Sequence, residues 1–276
     1  MPFVSKLRKI YRKYINFPLI DKLIYFILDT VTDIYSFIKR YSFPAYYIRK
    51  WKLNMLWEEY EKETTDFFKK TIKPGMIVID IGAHIGYFTK IFSKLVGKKG
   101  TVYAFEADPE NFELLNKNTK HLKNTKLCKV AISDSIGTID FFHSNSKSGC
   151  HSTVPAEFRS QKITIPTITL DEFANRKGIN KIDIIKIDIE GGEYIALHGM
   201  KKIFKNNPNI AIVLEFCMEN IKLAHIEYHD FLKNIEQFGF NIFSIRQNRL
   251  DKISSKSSIH QITQDADFVN LYCTKK

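Results

Sequence analysis

Apolar positions along this chain follow two rhythms. From residue 76 onward, short apolar runs of strand length alternate with stretches of helical spacing. MIVID (76–80), TVYAFE (101–106), TKLCKVAI (125–132), KIDIIKIDIE (181–190), NIAIVLEFC (209–217), NIFSI (241–245) and DFVNLYCT (267–274) read as strands. Between them, helices are expected from Met55 to Thr71, from the turn after residue 80 to Gly97, from Asp108-Pro109 to His121, from Thr169-Leu170-Asp171, and near 221–238. IGTIDFFHS (136–144) and KITIPTI (162–168) break the rhythm as an antiparallel pair around a polar loop. Apolar strands joined by crossovers of roughly 20 residues imply a doubly wound α/β fold, a mostly parallel sheet with helices on both faces.

Before residue 55 the period is different. Ile20, Leu23, Ile24, Ile27, Val31, Ile34 and Ile38 recur at steps of three and four, which predicts an amphipathic helix. Asp21, Lys22, Asp29 and Asp33 interrupt it. A charge at mid-bilayer costs about 2.5–3.5 kcal/mol, so this stretch is not expected to span a membrane. Nor does an apolar run end in a cleavage site of small residues. Residues 1–54 therefore read as a basic helical extension and 55–276 as the main domain. Two readings of the extension stay open: a cap packed on the main domain, or a helix lying in a membrane interface.

Composition narrows the class. The chain has 276 residues, 44% hydrophobic and 26% charged, enough for a sizeable core and unlike a disordered chain. Four scattered cysteines (Cys128, Cys150, Cys217, Cys273) form no CxxC pair, which points to a reducing, cytoplasmic compartment. The net charge is +12, and residues 1–52 hold eleven basic against three acidic side chains, including KLRKIYRKY (6–14). Such a block suits a polyanionic partner: a lipid surface, with the protein peripheral on it, nucleic acid or an acidic glycan.

Ligands of an open sheet bind beyond the carboxyl ends of its strands. Those ends carry Asp80, Glu106, Asp134, Asp188, Glu190 and Glu215, more carboxylates than a structural sheet needs. In VIDIGAHIGYFT, Gly82 and Gly86 let backbone approach a ligand, and a helix amino terminus follows. The spacing is GxxxG, unlike the GxGxxG of dinucleotide binders. Asp80 would repel a pyrophosphate and suit an ammonium, while Glu106 can accept both hydroxyls of a ribose. A nucleoside carrying an ammonium and no diphosphate is S-adenosylmethionine.

VIDIGAHIGYFT, AFEADPENFELLNKN, KVAISDSIGTIDF and above all IIKIDIEGGEYIALHGM resemble the FkbM-type methyltransferases over about residues 76–274. The resemblance implies a class I methyltransferase fold of seven strands, the last antiparallel, and O-methylation of a hydroxyl on a sugar, glycan, glycolipid or natural product. It also implies a cofactor site at Asp80, Gly82, Gly86 and Glu106, with Ala83, His84 and Tyr87 in the same turn. Ala131, Ile132 and Asp134 would flank the adenine. His84 stands where the family commonly has Asn or Thr.

For the reaction, Asp188 and Glu190 are the candidate bases, with Lys186 and Glu215 orienting them. Asp188 also suits the cofactor's amino group, and Glu190 could instead cap the turn at Gly191-Gly192. The three carboxylates would suit a divalent cation too, although no spacing requires one. His143 and His151 lie in the insertion and could act as base or be ordinary loop histidines. Phe141, Phe142, Phe158 and Tyr87 could stack on a sugar. Two other functions stay open. A nucleic-acid methyltransferase fits the basic charge but lacks the Asn/Asp-Pro-Pro-aromatic element. A non-catalytic membrane-associated binding protein would keep the fold and lose the cofactor.

Overall fold

The computed structural model describes residues 18–144, 151–159, 161–246, 249–263 and 266–275. The elements run α1 (Pro18–Ile38), α2 (Arg49–Leu56), α3 (Lys62–Thr71), β1 (Ile77–Ile81), α4 (Tyr87–Val96), β2 (Thr101–Phe105) and α5 (Pro109–Thr119). Then come β3 (Thr125–Cys128), β4 (Ala131–Ile132), β5 (Gly137–His143), β6 (Gln161–Ile168), α6 (Leu170–Lys177), β7 (Ile184–Ile187), α7 (Glu193–His198) and α8 (Lys201–Asn206). The last part holds β8 (Ala211–Cys217), α9 (Met218–Leu223), α10 (Tyr228–Gln237), β9 (Asn241–Arg246), β10 (Arg249–Ile253), α11 (Ile259–Thr263) and β11 (Phe268–Thr274).

The main sheet has the order β10-β9-β11-β8-β7-β1-β2-β3. β3, β2, β1, β7 and β8 pair in parallel, and β11 lies antiparallel to both β8 and β9. The expected seven strands are thus present, and the sheet has an eighth. β10 adds an edge strand antiparallel to β9. RLDKI carries charges of little strand propensity and so no strand signal, and four of its five positions are exposed, which an edge strand tolerates.

Strand alternation sends Ile79, Ile81, Ile185, Ile187, Ile212 and Leu214 to one face, where Phe173, Phe204 and Phe231 pack on them. Val78, Val102, Ile184 and Val213 face the other way, onto Phe68, Phe88 and Phe92. Both faces are covered, as a parallel sheet requires.

Three expected elements are broken. The stretch 125–132 leaves the main sheet after Cys128, and Ala131-Ile132 pairs in parallel with β6. With the β5–β6 hairpin it forms a second, three-stranded sheet. The helix expected near 221–238 is two helices, α9 and α10. The helix expected over Met55–Thr71 is α2 and α3, separated at Trp57–Glu61, with Glu58 (φ 58°) and Glu61 (φ 41°) in the left-handed region.

The extension holds the larger surprise. On α1 the polar arc faces the protein: Thr32 and Ser36 are buried, Arg49 pairs with Asp29 at 3.0 Å, and Lys52 pairs with Asp33 at 2.9 Å. The apolar stripe from Leu23 to Ile38 points outward. The stripe is therefore not what holds the cap to the domain. Lys90 fastens the end of the helix by donating to the Lys39 and Arg40 carbonyls. KLRKIYRKY lies outside the described residues. Among the described residues, no helix is long and apolar enough to cross a membrane.

Candidate active site

A cavity of about 870 Å³ opens at the carboxyl ends of β1, β2, β7 and β8. Among the residues named from the sequence, it is lined by Gly82, His84, Glu106, Ala131, Ile132, Asp188, Glu190 and Glu215. Asp80, Ala83, Gly86, Tyr87, Asp134 and Lys186 are not part of the lining. Tyr87 turns away, its hydroxyl donating to the Tyr60 carbonyl and lying 3.0 Å from Thr65 Oγ1.

Glu106 is held rigidly. Its Oε2 accepts the His84 amide at 2.7 Å and its Oε1 accepts the Asp108 amide at 2.8 Å. Each carboxylate oxygen has two acceptor directions, so one on each stays open to a ligand hydroxyl. Burial pushes its carboxyl up to about 7, against the pull of those amides. Asp108, capping α5 through Oδ1, fixes the segment that presents this acid.

Asp80 lies wholly buried. Its Oδ2 accepts from Thr89 at 2.6 Å and its Oδ1 faces Lys186 Nζ at 3.7 Å. The expected ammonium partner is thus occupied by a cation of the chain itself. Lys186 sits in β7, whose register sets it beside Asp80, and donates to Asp188 Oδ2 at 3.1 Å. Burial pulls its ammonium down, but Asp188 and Asp80 more than reverse this and hold it above the ordinary lysine range. Asp188 is the member of this chain of charges that reaches the cavity.

The glycines also serve the packing of the chain itself. A Cβ on Gly82 (φ 76°) would lie 1.7 Å from the Asp188 carbonyl oxygen, and one on Gly86 (φ 91°) would lie 2.9 Å from Leu115. They let the chain's own backbone and α5 close in, which brings the strand tips together. We expect Gly82→Ala to destabilise the fold by more than about 3 kcal/mol, read by chemical denaturation. His84 also adopts a left-handed backbone (φ 52°). Asn and His enter that region more readily than most residues, so a histidine suits this place.

Glu190 is, after Glu61 and His84, the third cavity residue other than glycine with a left-handed backbone (φ 54°) among the described residues. Such strain collects at functional sites when neighbours hold it. Asn220 donates to Glu190 Oε2 at 2.8 Å, Ser152 donates to its carbonyl, and Arg159 Nη2 stands 4.0 Å from Oε2. The turn is capped by Glu193, whose two oxygens accept the Ile189 and Gly191 amides at 2.9 Å. Glu190 does not cap it. Burial and then Asp188 push Glu190 up to about 8. Glu215 is pushed well above its ordinary value by burial and by Asp188 and Glu190.

Glu61, Asn220 and Arg159 were missed by the sequence reading. Glu61 enters the cavity only because the helix breaks, and Asn270 donates to its Oε2 at 3.0 Å. Burial and Asp188 push it up to about 7. No local pattern marks these residues. Tyr46, Tyr47 and Trp51 of the extension also line the cavity.

Two clusters have metal-ligand chemistry. Asp188, Glu190 and Glu215 bring carboxylate oxygens within 4.8 Å of one another, a donor set that suits a hard cation or an organic cation alike. Asp108, His143 and His151 form the other. There His151 Nδ1 accepts the Ser144 amide at 2.8 Å, so its Nε2 carries the proton and is a donor. His143 Nε2 lies 2.7 Å from Asp108 Oδ2. His143 Nδ1 is buried and makes no hydrogen bond among the described residues, so His143 keeps a free ring nitrogen, whereas Nδ1 of His151 is occupied.

Known proteins place this arrangement. The chain is 29% identical over 145 residues to the 2-O-methyltransferase NoeI of Sinorhizobium fredii, covering 47% of this chain and 59% of that protein. It is 31% identical over 125 residues to the hexuronic acid methyltransferase AglP of Haloferax volcanii, covering 45% and 49%. The matched stretches thus span about half the length of these relatives. The structure also aligns with a SAM-dependent methyltransferase from Aquifex aeolicus at 15% identity, over 78% of this chain and 89% of that one, with a TM-score of 0.45, a likeness too loose to carry weight. The Methyltransferase FkbM domain matches residues 80–242, from the Asp80 strand tip to β9. With more than half of the chain inside that match, the protein belongs to the FkbM methyltransferase family.

Proposed function

We propose that this protein transfers a methyl group from S-adenosylmethionine to a hydroxyl of a sugar or glycan. The observation that carries the reading is the order of acids across the sheet: Glu106 at the β2 tip, Asp188 and Glu190 after β7, and Glu215 near the end of β8. Neighbouring strands lie about 4.8 Å apart, so β2 and β8, three intervals apart, are separated by roughly 14 Å. That span fits an extended amino-acid nucleoside with an acceptor beside it.

The residues fit the cofactor. Glu106 keeps an open acceptor direction on each oxygen for ribose hydroxyls, Ala131 and Ile132 offer an apolar wall for a base, and Asp188 offers a carboxylate to an ammonium. When bound, S-adenosylmethionine supplies an electrophilic methyl on a sulfonium. Glu190, positioned by Asn220, takes the acceptor hydroxyl's proton at a carboxylate oxygen, and its raised pKa matches that task near neutral pH. Burial first, then Asp188 and Glu193, hold Glu190 basic. The same acids disfavour a polyphosphate acceptor, which supports a sugar over a nucleic acid. That NoeI and AglP carry sugar-directed names supports the same acceptor class.

The test is labelled methyl transfer to a panel of hexose and hexuronic acid glycosides, alongside calorimetry with S-adenosylhomocysteine. Labelled glycoside is the expected product. Failure to bind S-adenosylhomocysteine would end the reading. Glu106→Ala removes two hydrogen bonds from a charged acceptor, so S-adenosylhomocysteine affinity should fall about 10–100-fold in the same calorimeter.

A further inference from the structure

We propose that the outward face of α1 is a docking surface for an anionic lipid membrane. Leu23, Phe26, Ile27, Val31, Ile34, Phe37 and Ile38 stand exposed together, Phe37 at 83% and Phe26 at 69%, while Thr32 at 4% and Ser36 at 6% are turned inward. A helix packed by its polar side leaves its apolar side for something else. The orientation is imposed and not accidental. Arg49 and Lys52 take up Asp29 and Asp33, and Lys90 with the Ser42–Asn118 hydrogen bonds pins the chain that follows.

Charge decides the occupant. The two pairs neutralise both acids whose side chains are described on α1, whereas Lys22, Lys39, Arg40 and Lys50 make no ion pair among the described residues. Residues 1–17 add five basic side chains and no acid. Two copies of this chain meeting on the face would bring like charges together. RNA would answer the cations but not a continuous band of Leu, Ile, Val and Phe. An anionic bilayer answers both, with the apolar face in the headgroup boundary and the cations at the lipid phosphates. The surface does not depend on what the cavity binds, although Tyr46 and Trp51, which line that cavity, lie on the segment joining α1 to the domain.

Flotation of the full-length protein tests this, with vesicles of phosphatidylcholine and phosphatidylglycerol at about 2:1, against pure phosphatidylcholine. The expected result is capture by the anionic vesicles, weakened by salt and lowered at least about tenfold in Ile27→Asp/Ile34→Asp. An unchanged thermal melt shows that the variant still folds. No capture by anionic vesicles overturns the proposal. So does capture undiminished by the two substitutions, which would mean that the basic residues bind vesicles without the apolar face. A wild-type dimer made monomeric by the substitutions, without vesicle capture, would assign the face to a second copy instead.

Discussion

Glu190→Gln should lower turnover by about 10²–10⁴-fold while leaving S-adenosylhomocysteine affinity nearly unchanged. The replacement keeps an oxygen where Asn220 Nδ2 donates, so the loop has no reason to move. Only the basic oxygen is lost. The pH profile separates a base from a merely structural acid. A carboxyl held at about 8 by burial and by Asp188, with Glu193 adding to the rise and Asn220 and Arg159 opposing it, is mostly protonated at pH 7 and cannot accept a proton. Wild-type turnover should therefore rise about tenfold per pH unit below that value and level off above it. The residual rate of the variant should show no such rise. A variant with the wild-type rate and slope would move the base elsewhere, with Asp188 next in line.

Lys186→Met should cost about 3–5 kcal/mol of stability, measured by urea denaturation. Lys186 is the only cation within 4 Å of the Asp80 carboxylate among the described residues, and its removal leaves that wholly buried acid with only the Thr89 hydroxyl. The penalty is the price of an uncompensated buried charge, so the double variant Asp80→Asn/Lys186→Met should recover most of it. The double variant should still bind S-adenosylhomocysteine less well than wild type, because Asp188 loses the donor that aims it. If the single variant is as stable as wild type, the Asp80–Lys186–Asp188 chain does not hold the strand tips together.

Much of the site was legible locally. Asp80, Glu106 and Asp188 lie at main-sheet strand ends and Glu190 and Glu215 within three residues of one, whereas Asp134 follows β4 of the small sheet. Asp108 before Pro109 was equally plain as a helix start, since an N-cap acid and a proline at the first helical position answer the same unsatisfied amides. The antiparallel 136–168 insertion was readable from its alternation. Glu61, Asn220 and Arg159 were not. They meet Glu190 and Asp188 across gaps of up to about 130 residues, through contacts that no periodicity encodes.

The order of alternating strands and helices, the acids at the strand tips and the amphipathic period of α1 belong to the sequence itself, because they follow from local patterns of two and 3.6 residues. Tertiary structure alone decided which acids are spent inside and which face a ligand. Asp80 reads like Asp188 in the sequence, yet the β1–β7 register puts Lys186 against it and takes it out of the cavity. Tertiary structure also decided that α1 turns its apolar face outward: Thr32 and Ser36 pack inward and Asp29 and Asp33 meet Arg49 and Lys52, contacts that the period of α1 does not encode.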